Sequence, residues 1–260
     1  MVMASRAAHL RIVIVLMVVY QLLVFSVTLM EIRLWANPLE QAIAWAQAHP
    51  GSPRALENLG SQYIKGGSNI PEAITVYTQM TRQYPDQIYP HLKIIALRAC
   101  ANDEIVQDDT WDELLHNAAH AARDRFNVVA EIHIISIAIH AGDCPNLDAE
   151  KVQNLIAGLA ANPAFQPLKV YLYEEASLLS LYSGDIYNAL YHVQQAINIS
   201  ADLSRLLYKA ELLITTGDIK EATNTFLLID KKMGNYKNWM AYHKSVSRLK
   251  DKLQALEKNK

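Results

Sequence analysis

Apolar and polar positions repeat with helical spacing along nearly the whole chain, and only the N-terminal segment departs from that pattern. From Ile12 to Met30 no residue is charged. Beyond Trp35 the apolar positions fall three or four residues apart, as on one face of a helix. Breaks come at Pro50-Gly51, Gly66-Gly67, Pro85, Gly142, Pro163, Gly184, Gly217 and Gly234. β-Branched and aromatic runs with a period of two, the mark of strands, are absent. The pattern predicts helices near 38–49, 53–66, 70–84, 87–101, 110–123, 126–141, 148–161, 167–183, 186–200, 202–216, 219–232 and 235–258. The fold class is therefore all-α: an N-terminal membrane helix, then an α-solenoid of antiparallel helix pairs.

A helix over residues 12–30 rises roughly 28 Å, close to the hydrocarbon thickness of a bilayer. "SVTLMEIRLW" contains no small-x-small cleavage site, so the segment reads as an uncleaved anchor. Arg6, His9 and Arg11 precede the span, whereas Glu31 and Arg33 after it cancel. The positive-inside rule then leaves residues 1–11 in the cytoplasm and the body outside it. The expected organisation is a short N-terminus (1–11), the span (12–30), a juxtamembrane linker helix (31–52), a solenoid (53–234) and a basic capping helix (235–260).

Two stretches of the body resemble each other. "SGDIYNALYHVQQAI" from Ser183 aligns with "TGDIKEATNTFLLI" from Thr216, pairing Gly184 with Gly217, Asp185 with Asp218 and Ala189 with Ala222 at an offset of 33 residues. A period of that size over helix pairs indicates a solenoid. "NLGSQYIKGGSNIPEAITVYTQMTRQYP" carries Leu59, Gly60 and Tyr63 on one helix, then Ala73, Tyr77 and Pro85 on the next. This resembles the tetratricopeptide repeat (TPR), in which small residues allow two helices to cross closely and large ones fill the surrounding volume.

The order of span, Arg33, Trp35, short helix, "HPGSPRA" and first repeat is also similar to the junction between the last span and the repeats in bacterial relatives of the transmembrane-and-TPR O-mannosyltransferases. That resemblance implies repeats on the extracytoplasmic side and a multi-span glycosyltransferase, using a polyprenyl-linked sugar donor, as a partner. The catalytic spans of that family have no counterpart here, so no catalytic residue carries over.

Composition narrows the function. Hydrophobic residues make up 51% and charged residues 19%, which excludes a disordered chain. The net charge of -2 argues against a nucleic-acid binder. Nine Lys or Arg against two acids lie between Lys231 and Lys260, leaving the rest of the chain acidic. The two cysteines, Cys100 and Cys144, are too few for a disulfide scaffold or a thiolate zinc site. They fit either one disulfide or two buried thiols.

Catalytic signals are lacking. His116 and His120 share a helix face, but no Glu lies between them as in a His-Glu-x-x-His site, so they read as structural or solvent-facing. "KGGSN" lacks the Walker pattern, no Gly-x-Ser-x-Gly elbow occurs, and Asn198-Ile-Ser sits near a helix end. No cofactor or metal is expected.

What remains is a binding surface. In solenoids of this kind the first helix of each pair lines the groove. That register selects Arg54, Glu57 and Ser61, then Tyr171, Glu174 and Leu178, then Ser204, Leu207 and Glu211. Such a surface suits a peptide with apolar and basic features. Trp239, Tyr242, Val246, Leu249, Leu253 and Leu256 form a heptad seam on a basic helix that caps the last repeat, dimerises or meets anionic lipid head groups. The reading is a scaffold that holds a protein or peptide segment at the extracytoplasmic face of a bacterial inner membrane. The alternative is the acceptor-binding portion of a split membrane O-glycosyltransferase.

Overall fold

The computed structural model describes residues 2–65, 69–101, 105–122, 127–234 and 236–258. Gly66-Gly67 and the side chains of Arg6, His9, Arg11 and Trp239, which carry expectations above, lie outside the described residues. Among the described residues there are thirteen α-helices and no strand, so the fold is all-α. Two compact units are distinguished, Met1–Met80 and Thr81–Lys260.

The first unit begins with α1 (Val2–Ala36). Its stretch Ile14–Ala36 is long and apolar enough to cross a membrane, and none of it is buried within the protein. The helix thus runs beyond Met30, where the uncharged segment ends. Ser26 and Thr28 donate their hydroxyls to the carbonyls of Leu22 and Val24 at 2.8 and 2.9 Å, which satisfies both polar groups inside the helix. Pro38 stops continuation of α1 and opens α2 (Pro38–Ala48), capped by the Asn37 side chain. α3 (Pro53–Lys65) follows, then α4 (Ile70–Gln83), which runs to the end of the unit and three residues past it. Gly60 of α3 and Ala73 and Tyr77 of α4 are buried, as the repeat pattern requires.

The second unit is a succession of helices: α5 (Ile88–Ala96), α6 (Asp108–His120), α7 (Asn127–Ala141), α8 (Ala149–Ala161), α9 (Lys169–Tyr182), α10 (Ile186–Ile199), α11 (Leu203–Thr216), α12 (Ile219–Met233) and α13 (Tyr236–Lys258). Helices pack on the next in sequence and on the next but one: α5 on α7, α6 on α8, α7 on α9, α11 on α13. This is the TPR-like solenoid pattern, in which each pair buries its apolar face on its neighbours.

The 33-residue repeat is a repeat of local chemistry. Gly184 (φ +82°) and Gly217 (φ +74°) end α9 and α11 in the left-handed region. The following N–H groups of Asp185 and Asp218 donate to Ser180 O and Leu213 O, and their carboxylates then accept from Asn188 N and Glu221 N, capping α10 and α12. Gly142-Asp143 after α7 makes the same turn, with Asp143 N–H donating to Ala138 O at 2.9 Å. Counting only the 33-residue spacing misses this third copy.

Two boundaries differ from expectation. The helix expected over 87–101 ends at Ala96 and widens into a π turn over Leu97–Ala101. The helix expected from residue 167 begins at Lys169, after a 3-10 turn over Pro163–Leu168 capped by Asn162. Asn162 also donates to the carbonyls of Ala118 and Ala121, fixing the end of α6. The heptad seam of α13 is occupied within the chain: Val246, Leu249 and Leu253 are buried against Leu206, Leu213, Phe226 and Ile229, so α13 caps the array.

Candidate functional site

The first helices of successive pairs in the second unit are joined by a series of polar contacts. Lys93 of α5 lies 2.5 Å from Glu131 of α7, both well buried. His133 of α7 contacts both carboxylate oxygens of Glu175 on α9 at 3.1 Å. Glu174 of α9 meets Arg205 of α11 at 2.6 Å. Glu211 of α11 faces Arg248 and Lys252 of α13 at 3.7 and 3.6 Å.

Between α9 and α11 the surface deepens into a cleft of about 270 Å³ lined by Glu174, Glu175, Leu178, Ser204, Arg205 and Tyr208. Arg205 anchors it. Its guanidinium is buried, pairs with Asp202, reaches the Ser200 carbonyl at 3.2 Å, and holds Nε against the Glu174 carboxylate as an ion pair. The exposed Tyr171 ring lies 6.0 Å from the guanidinium. Arg205 is fixed because Asp202 also caps α11, accepting from Arg205 N at 3.0 Å.

The carboxylates outnumber the cations. Glu174 and Asp202 pair with Arg205 and Glu175 with His133, so three carboxylates meet one guanidinium and one imidazole, and a further positive group entering the cleft is favoured. Burial pushes the Glu175 carboxyl up, with the neighbouring His133 opposing the shift. Burial also raises the Tyr208 phenol, whose oxygen stands 3.5 Å from Ser177 Oγ. On α7, which packs on α9, Ile134 and Ile137 are exposed.

Of the nine residues selected from sequence, Glu174, Leu178 and Ser204 line the cleft and Tyr171 stands over its arginine. Leu207 does not belong with them. It is buried in the core shared by α11, α12 and α13, because its position on α11 faces inward. Glu211 is turned towards α13 rather than into the cleft. Arg54, Glu57 and Ser61 lie on α3 in the first unit, Arg54 exposed and the others half-buried. Arg205, Glu175, Tyr208 and His133 were not selected. Extending the register by the i+4 neighbour would have found Glu175 and Tyr208. Asp202 three residues before Arg205 is the signal for a fixed guanidinium.

Cys100, on the π turn, and Cys144, in the segment after α7, are joined as a disulfide with Cα atoms 4.4 Å apart. His116 and His120 make an edge contact with ring centroids 5.2 Å apart, and no metal-binding cluster occurs among the described residues.

No protein-family model matches the chain, and no curated protein matches it. The O-mannosyltransferase resemblance thus gains no support. Among solved structures, a chain from a study titled "Functional Characterization of Pseudomonas Aeruginosa pilF" is similar at 14% identity and a TM-score of 0.42. The similarity covers 78% of this chain and 87% of that one.

Proposed function

We propose that this protein is a membrane-anchored scaffold that binds an extended or helical peptide segment of a partner through the α9–α11 cleft. The observation that carries the reading is three carboxylates gathered at one cleft, two on Arg205 and one on His133, with the exposed Ile134 and Ile137 on α7, the helix that packs on α9. A segment with a Lys or Arg next to large apolar residues satisfies both features. TPR-like helix pairs bind proteins in general, which agrees with this assignment. The stretch Ile14–Ala36, long and apolar enough to cross a membrane, supports the anchor, and a bacterial inner membrane is the location proposed for it. The Cys100–Cys144 disulfide supports an extracytoplasmic, oxidising location for the repeats, as does the basic N-terminus. A role as the acceptor-binding part of a split O-glycosyltransferase rests on the sequence resemblance alone.

Two experiments test the reading. Protease added to spheroplasts of an expressing Gram-negative cell should digest the body; protection until lysis would place it in the cytoplasm. Fluorescein-labelled heptapeptides of alternating Leu and Lys, or Leu and Glu, are then titrated onto the full-length protein in nanodiscs. The Lys peptide should bind, weaken with salt, and lose affinity in Glu175→Gln. Equal binding of both peptides would refute the cleft's role.

A further inference from the structure

The opposite side of α9 carries a second cleft, of different chemistry. Lys169, Tyr173 and Ala176 of α9 open onto a space of about 350 Å³ between α8 and α10. Its α8 side is built largely of Ala157, Ala160 and Ala161, and its α10 side of Tyr191 and His192. Alanines one turn apart leave a recess that no side chain of this chain fills among the described residues. Tyr191 at the cleft and Tyr187 one turn before it on α10 are both largely exposed.

Gln153 at the edge of this cleft donates to Ser180 Oγ at 2.9 Å, but two of its polar groups lack a partner among the described residues. Lys169 is the one charged residue among those lining it, and no carboxylate pairs with it among the described residues. Lys93, Lys151, Lys209 and Lys250 each meet an acid. Lys169 instead stands 5.8 Å from the Tyr173 ring centroid. His192 Nδ1 is buried with no hydrogen-bond partner among the described residues. A partly buried cation over an aromatic wall, beside an apolar recess, lacks an anion.

We propose that this cleft is a second docking surface, which takes a peptide segment carrying a large apolar side chain next to a carboxylate. The apolar side chain fills the recess over the alanines and stacks on Tyr191. The carboxylate meets Lys169 at the rim of the recess. The two clefts then select partners of opposite charge on opposite sides of one helix, so both can be occupied together. The assignment does not depend on the α9–α11 cleft.

The test uses a random dodecapeptide phage library panned on the full-length protein in nanodiscs, with Ala157→Trp as counter-target. Ala157 is exposed, so tryptophan there covers the recess without entering the core. Peptides that bind wild type but not Ala157→Trp should pair Phe, Leu or Tyr with Asp or Glu. Synthetic versions should bind Lys169→Glu about tenfold more weakly, the loss of one favourable charge contact, and Lys169→Arg nearly normally. If Ala157→Trp lost helicity by circular dichroism, Lys169→Glu alone would serve as counter-target. The proposal fails if no peptide separates wild type from the counter-target, if those that do lack a carboxylate, or if Lys169→Glu binds them equally. Binding of the Leu/Lys heptapeptide should be unchanged in Lys169→Glu, which separates failure here from failure of the other cleft.

Discussion

Arg205 of α11 and Glu174 of α9 meet at 2.6 Å, with the arginine side chain only 8% exposed and the glutamate 32%. Burying a guanidinium is costly, and the contacts with Glu174, Asp202 and Ser200 offset that cost. The pair therefore fixes the cleft more than it stabilises the fold. Arg205→Lys should cost about 1–2 kcal/mol, because an ammonium cannot reach all three partners in one plane. Arg205→Met, which keeps the volume and removes the charge, should lower stability less than Arg205→Ala. Denaturant midpoints of the three variants check the order.

Gly60 of α3 makes room for the Tyr77 ring of α4. A Cβ added at Gly60 would fall 2.7 Å from Tyr77 Cζ, and Tyr77 is fully buried, so its ring has no open space to enter. Gly60→Ala should destabilise by about 1–3 kcal/mol, the usual cost of overpacking. Adding Tyr77→Leu to Gly60→Ala should return part of that loss. Additive effects in the double-mutant cycle would contradict the crossing.

The Cys100–Cys144 bond closes a loop with a sequence separation of 44. Constraint of the unfolded chain by a loop of that size contributes about 2–4 kcal/mol. Reduction, or Cys100→Ser with Cys144→Ser, should lower the denaturation midpoint accordingly. Thiol titration of the unfolded, unreduced protein should find no free thiol if the bond forms in the cell.

Burial lowers the pKa of both His91 and His192 from 6.5. A depressed histidine pKa means that the unfolded chain binds the proton more readily. The stability it contributes is present above pH 6.5 and is lost as pH falls through the folded-state pKa. Melting temperature should therefore fall between pH 7.5 and 5.5. His91→Gln should flatten that fall, and an unchanged slope would show that His91 does not drive it.

The sequence showed much of this structure for physical reasons that act locally. The Gly184-Asp185 and Gly217-Asp218 turns were legible because a left-handed residue and a capping carboxylate are chosen by their immediate neighbours. Leu207 was misjudged because helical register leaves the groove face and the core face only about one residue apart. The roles of Arg205 and Lys169 are not legible in the sequence, because a cation's role depends on which acids other helices bring to it.

The sequence by itself determined the helices, their turns and the apolar N-terminal segment, since periodicity, capping and hydropathy are properties of contiguous residues. Only the tertiary structure decided that Cys100 meets Cys144 and that the α13 seam is filled from within the chain. It also decided that the Glu174–Glu175 side of α9 opens onto α11 and the Lys169 side onto the space between α8 and α10. Those outcomes depend on how distant helices pack, and packing is set by the fit of many side chains at once rather than by any local run.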